Sequence, residues 1–518
     1  MTKNRKTHGI RLTPHITRPF VYFAGFAALF VFLTWGYGDV LVRAEQESYI
    51  CSQTETMQYL LSRPFGRICW LSRWGLLLYR WVWLGGACLA LIYTLTARLT
   101  DYALRIPQKW AGLGFIVPLL QIGWILARGT RLYYRSEPSL FVLWAVAILL
   151  LAALAAGVVR SVRHKRPAAS DMQTPARPYG LAIVLAGICL ATAAARWLNE
   201  PALLTARMQN MEARSDWHGM IVTGRKALRP SRAVAAYYAM ALEERDCLLE
   251  GLFLIPHDYP QVHLRTTDGP GEEYGIFLSD AYYHAGLLNA SRHTATNRLV
   301  VDGPRLCTLK RLAWCALLSG ERVLCRKYLT LIKANPFEPE FVDRLTELLR
   351  HPDRIQADPV LRHVLSLRPH DSHFEQAYAA PLYIGYNLGL ARGNAYALQT
   401  SIAACLYAKR LDLLPQRADV LAANRRPFPD CLRQALAIAA LKQPELQQRY
   451  PQAVYPEMAQ LNSFLLDAQP YKDEPRRMRS ELRDRWGGTY YYYYYTENTD
   501  NLRAGDASRS SSSDGGVN

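Results

Sequence analysis

The chain has 518 residues, with 61 lysines and arginines against 43 aspartates and glutamates, a formal net charge of +18. Residues 1–200 carry a net +14 of this and the rest of the chain only +4. A nucleic-acid-binding domain gathers its positive charge on a folded reading face. Here the surplus flanks apolar runs, which excludes nucleic acid as a partner and fits loops beside anionic lipid headgroups.

In chain order, a basic head over residues 1–19 carries Lys3, Arg5, Lys6, Arg11 and Arg18. Five apolar windows follow, at about Phe20–Tyr37, Leu76–Ala97, Ala111–Ala127, Leu140–Val159 and Tyr179–Trp197. Crossing a hydrocarbon core of ~30 Å takes ~20 mostly apolar residues, and each window is of that order. The runs are continuous rather than alternating, so they are helices and not barrel strands. The first window also has the layout of a signal peptide, with Val42-Arg43-Ala44 as a cleavage site. Its apolar region ends well before that site, which favours an uncleaved anchor. Arg80 sits near the start of the second window, where it can snorkel to the headgroups. Pro118 lies in the third, where neighbouring helices can re-satisfy the freed carbonyl.

Orientation follows from lysine and arginine in the short loops. The head and the second and fourth connections carry 13 of them, and the first and third connections carry 7. The N-terminus is therefore expected in the cytoplasm. Five spans then place everything after residue 200 on the extracytoplasmic face of a bacterial inner membrane. Ion or proton relays need ionisable groups inside spans. Only Arg80 meets that condition, with Gln121 as a polar companion, which argues against transport.

After Pro201 the pattern becomes helical, with charged faces. In Arg305–Pro336, Leu309, Leu312, Ala313, Ala316 and Leu317 form one stripe, Ser319-Gly320 breaks it, and Val323, Leu324, Tyr328, Leu331 and Ile332 form a second, ended by Asn335-Pro336. This spacing predicts an antiparallel helix pair. Trp217–Leu228 with Ser231–Arg245, and Ala395–Leu411 with Asp430–Leu441, predict two more. Small residues such as Ala236, Ala239, Ala403 and Ala404 allow close helix approach. The expected fold is all-α: about five transmembrane helices, then an α-solenoid over residues 201–488 in which stacking buries each pair's apolar face. Pro256–Tyr274 reads as a turn-rich loop, residues 489–496 as a tyrosine-rich closing segment, and residues 497–518 as a disordered tail.

Trp314, Gly320 and Pro336 fall near the aromatic, glycine and closing-proline positions of a tetratricopeptide repeat. The unit from Trp217, with Ala227 and Pro230, resembles the same repeat more loosely. This resemblance, over about a third of the chain, implies a scaffold that binds peptides or proteins. The whole layout also resembles an uncharacterised family of bacterial multi-pass membrane proteins. Tyr59-Leu60-Leu61-Ser62-Arg63-Pro64-Phe65-Gly66, Arg232–Leu242 and the Thr489-Tyr490 run carry that likeness. It implies the architecture and no activity.

Among candidate site residues, Trp314, Tyr328 and Tyr490, Tyr491, Tyr492 and Tyr493 are suited to binding, because tyrosine and tryptophan are favoured at interfaces. The run Tyr490–Tyr495 is strand-prone and is expected as an extended segment closing the solenoid, with the bilayer surface or a partner as alternatives. The first outer loop and its flank hold Asp39, Glu45, Glu47 and Glu55. Carboxylates there can hold a metal or act as a base, as in membrane glycosyltransferases that use lipid-linked donors. If the protein is instead a scaffold, alanine at Glu45 and Glu47 should be tolerated. His257 and His263 near Asp258 read as surface-loop residues. No zinc, phosphate-loop, nucleophile-elbow or dinucleotide motif is present, and no cofactor is expected. No cysteine pair has C-x-x-C spacing, although Cys315 and Cys325 flank one helix pair and are the first candidates for a disulfide. The expected role is a membrane scaffold whose partners are the lipid bilayer and a protein on the extracytoplasmic face.

Overall fold

The computed structural model describes residues 18–135, 137–163, 179–257, 272–368, 395–407 and 409–497. The basic head to residue 17, the connection 164–178, His263 with most of the turn-rich loop, and the tail from residue 498 lie outside the described residues. Among the described residues, every regular element is helical. The chain forms two compact units, Met1–Glu45 with Phe65–Asn199, and Gln46–Pro64 with Glu200–Asn518.

Among the described residues, the first unit holds five helices long and apolar enough to cross a membrane: Arg18–Gly36, Val82–Ala103, Leu113–Leu132, Leu140–Val162 and Tyr179–Trp197. Leu150, Leu151, Leu154 and Leu190 are exposed on them, as expected where lipid is the solvent. The second begins at Val82 rather than near Leu76. A separate helix, Gly66–Leu76, runs into the short 3-10 turn Leu77–Arg80, and Trp81 then takes an extended conformation that interrupts the helix. Arg80 thus falls before the span, and Asp101 enters its last turn.

Asp101 is buried and has a structural partner set. Its carboxylate accepts hydrogen bonds from the Gly112 and Gly114 amides at 2.7 and 2.6 Å, and from the Tyr22 hydroxyl at 2.7 Å. Two amides that open the third candidate span are thereby satisfied, where lipid offers no substitute. A side chain at Gly114 would bring its Cβ to 2.2 Å from the Ala97 carbonyl oxygen. Gly114→Ala is therefore expected to destabilise the first unit by about 2 kcal/mol or more, measured as a fall in the melting temperature of the detergent-purified protein.

The second unit is built from helix pairs. Trp217–Arg225 packs on Arg232–Glu244, Glu272–His284 on Leu288–Asp302, Leu306–Leu318 on Arg322–Ala334, and Pro475–Trp486 on Tyr490–Thr496. Local chemistry sets the boundaries. Asp216 and Ser231 cap their helices by accepting from the Gly219 and Val234 amides, and such caps are each worth ~1 kcal/mol. Gly286 and Gly320 turn the chain between paired helices with φ of +74° and +78°, a region that favours glycine. Arg232–Glu244 is buried on every side, which marks it as a central helix. Ala236 and Ala239 lie within it with no exposed surface.

The tyrosine run differs from expectation. Tyr490–Thr496 is a helix, capped by the Thr489 side chain accepting from the Tyr492 amide. Strand preference mainly reflects how a side chain packs on a sheet surface. With no sheet nearby, helical neighbours bury the rings instead. The run does pack against the preceding helices and the domain core.

Candidate functional site

Two constellations in the second unit concentrate its charge. The first is formed where the segment after the Gly38–Gln46 helix lies along the helices Leu288–Asp302 and Leu306–Leu318. The Glu47 carboxylate has no exposed surface and receives Arg298 at 2.6 Å and Arg305 at 3.3 Å. Asp302 lies 3.5 and 3.3 Å from the same two arginines, so the charges of the group are balanced. The segment's backbone and side chains are also bound. The Leu306 amide donates to the Ser48 carbonyl at 3.1 Å. The Ile50 amide donates to Asn335 Oδ1 at 3.1 Å, and the Tyr49 hydroxyl donates to the Leu331 carbonyl at 2.9 Å. Lys310 donates to Gln46 at 3.3 Å and pairs with buried Glu338 at 2.8 Å. Tyr49, Ile50 and Cys51 are buried.

The second constellation is an ion network where four helices meet. His284, at the end of Glu272–His284, contacts Glu244 at 2.8 Å through Nδ1 and Glu212 at 3.0 Å through Nε2. Arg311 donates to Glu212 and Asp280 at 2.8 and 3.1 Å, and its guanidinium lies 4.1 Å over the Tyr283 ring. The Tyr237 hydroxyl donates to the other Asp280 oxygen at 2.6 Å. Burial opposes a charged imidazole, but two carboxylate partners outweigh it and push His284 up to about 9. Burial likewise raises the Glu212 carboxyl, but Arg311 and His284 outweigh it and hold the pKa down to about 2. His284 is thus an imidazolium at neutral pH, with both ring nitrogens donating. Next to it in sequence from Glu244, Glu243 is pushed up to about 8 by burial, although Thr400 donates to it at 2.8 Å. This arrangement fixes four helices relative to one another. Each charged group in it has an internal partner, with two cations serving three carboxylates.

Sequence reading singled out neither His284 nor Arg311. Spacing offers no signal for Arg311, which falls on the helix face opposite the stripe of Leu309, Leu312, Ala313 and Ala316, where a solvent-facing arginine is expected.

The residues selected from sequence are dispersed. Trp314 is half-buried, with its ring edge-on to Phe341 at 5.8 Å and Arg344 5.2 Å over its face. Tyr328 is half-buried on the adjoining helix. Tyr490, Tyr491, Tyr492 and Tyr493 are buried, and their hydroxyls donate to Leu406, Glu457, Arg479 and Tyr407. Asp39 and buried Glu45 lie on Gly38–Gln46 in the first unit, whereas Glu47 belongs to the second. Glu55 is exposed. Among the described residues, no group of three His, Cys, Asp or Glu side chains is placed to hold a metal ion.

The test of tolerance at Glu47 needs correction. A buried carboxylate held by two arginines is costly to remove whether the protein is a scaffold or an enzyme. His257, expected at a surface, is buried, donates from Nε2 to the Leu252 carbonyl at 2.7 Å, and is held neutral, with burial lowering its pKa to about 4. None of the ten described cysteines forms a disulfide, and the Cys315 thiol donates to Ser291. Burial pushes Cys325 up to about 11 and Cys405 to about 12, so both stay protonated and are weak nucleophiles.

A family model described as a family of unknown function (DUF6057) matches residues 14–154 and 127–497. No curated protein and no solved structure matches the chain.

Proposed function

We propose that this chain, a member of the DUF6057 family of unknown function, is an integral membrane scaffold whose tetratricopeptide-like helical domain binds protein segments on the extracytoplasmic face of a bacterial inner membrane. The observation that carries this is the groove along Leu288–Asp302 and Leu306–Leu318, in which side chains and the Leu306 amide bind residues 46–50, the segment that leaves the Gly38–Gln46 helix. Repeated helix pairs with matched internal charges support a binding frame rather than a reaction centre.

Membrane sidedness adds support. Residues 46–64 and the chain after Glu200 fold as one unit, so both must lie on one side of any bilayer the chain spans. Four candidate spans lie between them, and an even number returns the chain to the same side. The arginine and lysine bias of the short loops then assigns that side to the outside.

The alternative, a glycosyltransferase-like enzyme using Asp39, Glu45 and Glu47, is weakened by the commitment of Glu47 to two arginines. Affinity capture of the full-length protein from envelope extract distinguishes the two. A scaffold retains a specific protein, and that retention falls with Trp314→Ala, which alters the half-exposed face of one helix pair. Absence of any retained protein, together with metal-dependent consumption of a lipid-linked sugar, would overturn the scaffold.

A further inference from the structure

We infer that the groove is a peptide-recognition site that reads an acidic residue two positions before a tyrosine and an aliphatic residue, and that residues 46–50 are its resident ligand, held in cis. This rests on the scaffold role above and specifies its ligand.

Each position of Gln46-Glu47-Ser48-Tyr49-Ile50 meets a different kind of contact. The acid is read by charge, from Arg298 and Arg305. The next residue is read through its carbonyl by the Leu306 amide, with no demand on its side chain. Tyr49 is read twice: its ring is buried, and its hydroxyl reaches the Leu331 carbonyl. Ile50 is read by burial and through its amide by Asn335 Oδ1. Backbone contacts give affinity for any extended chain, while the charged pair and the tyrosine hydroxyl add selectivity. Geometry of this kind discriminates. A ligand lacking the acid leaves buried Arg305 and half-buried Arg298 short of a partner, and one lacking the hydroxyl leaves a carbonyl unmatched. The contacts come from three consecutive helices and from Asn335 beyond the last, so the groove exists only where these pairs are stacked.

Because the ligand is part of the chain, its binding is intramolecular and does not depend on the concentration of the protein. A free segment of the same chemistry at micromolar concentration cannot compete until the resident one leaves. The groove is therefore closed to partners in the resting protein and opens by exchange.

The test uses the full-length protein in detergent and a fluorescent synthetic peptide of residues 46–53. Hydrogen exchange first reads occupancy. In the wild type, the Ile50 and Leu306 amides are protected and the peptide shows no saturable binding. In Glu47→Ala, both amides exchange at least about tenfold faster, the Tyr490–Thr496 helix is unchanged, and the peptide binds saturably. A peptide with Gln at position 47 binds at least about tenfold more weakly, and adding Arg298→Ala to the protein abolishes that difference. Equal binding of the two peptides, or none, to a chain whose loop has been released overturns the inference. So does exchange at Ile50 and Leu306 that does not change together. If Glu47→Ala does not fold, Tyr49→Phe, which removes only the hydroxyl, gives the same paired acceleration or, by its absence, the same refutation. Failure here leaves partner capture by the full-length protein a separate question, since that experiment reads retention of any protein rather than this groove's selectivity.

Discussion

Glu47→Ala is expected to cost the helical domain about 3–5 kcal/mol, because breaking a buried ion pair from one side leaves charge uncompensated. Arg298 and Arg305 would lose the partner between them. Asp302, 3.5 and 3.3 Å from the two guanidinium groups, softens the loss and places the effect toward the lower end of that range. Glu47→Gln keeps one acceptor, the amide oxygen, and the side chain's volume, and should cost less than alanine. Glu55→Ala, on an exposed residue of the same segment, should stay within about 0.5 kcal/mol. Denaturant midpoints of the full-length protein, followed by a probe in the helical domain, give all three values. Equal midpoints for Glu47→Ala and Glu55→Ala would show that the segment does not stabilise the domain.

His284→Ala is the second large effect, and its size depends on pH. The folded-state pKa of His284 is raised from 6.5 to about 9. Its contribution is therefore fully present below pH 6.5 and is lost as pH rises through 9. Glu243, raised from 4.5 to about 8, adds a second loss over rising pH, since ionising it while buried is unfavourable. His257 runs the other way: its pKa falls from 6.5 to about 4 on burial, so its contribution is present above 6.5 and is lost on acidification. Glu212, lowered from 4.5 to about 2, contributes above 4.5 and loses that contribution toward pH 2. Between pH 4.5 and 6.5 the slopes from Glu243 and His257 cancel. Stability should thus be flat there, fall steeply from pH 6.5 toward 8 and 9, and fall again below 4.5. His284→Ala leaves Glu244 a buried carboxylate short of its cation and Glu212 with Arg311 alone, costing about 3 kcal/mol or more at pH 6, and it should remove one of the two alkaline slopes. Melting curves between pH 5 and 9.5 measure both effects. A variant whose deficit stays constant from pH 6 to 9.5 would contradict a charged His284.

The helices long and apolar enough to cross a membrane were legible because their signal is local and redundant: about twenty apolar residues say the same thing many times. Helix pairs were legible for a similar reason, since Ser319-Gly320 and Ser231 punctuate strong periodic stripes. The second span's start was misplaced because Leu76–Leu78 is apolar enough to join it, and only the extended Trp81 separates them. The tyrosine run was misjudged because propensity is a weak prior once helical neighbours can bury the rings. The Glu47 site could not be read at all from spacing. Its partners Arg298 and Arg305 lie about 250 residues away in sequence, and an acid in a short loop between spans looks the same whether it is solvated or clamped. The His284 network was hidden in the same way, because its members sit on four helices, each of which looks ordinary alone.

The central claim is that the first inter-span segment and the helical domain are one folded unit on the outer side of the membrane. Its most direct test is labelling of intact cells with a membrane-impermeant maleimide at Glu55→Cys and, separately, at Asp353→Cys, both exposed positions in that unit. The account predicts that both are labelled, above the background of the unsubstituted chain. Labelling of one but not the other would contradict a single unit, and labelling of neither would contradict its outward placement.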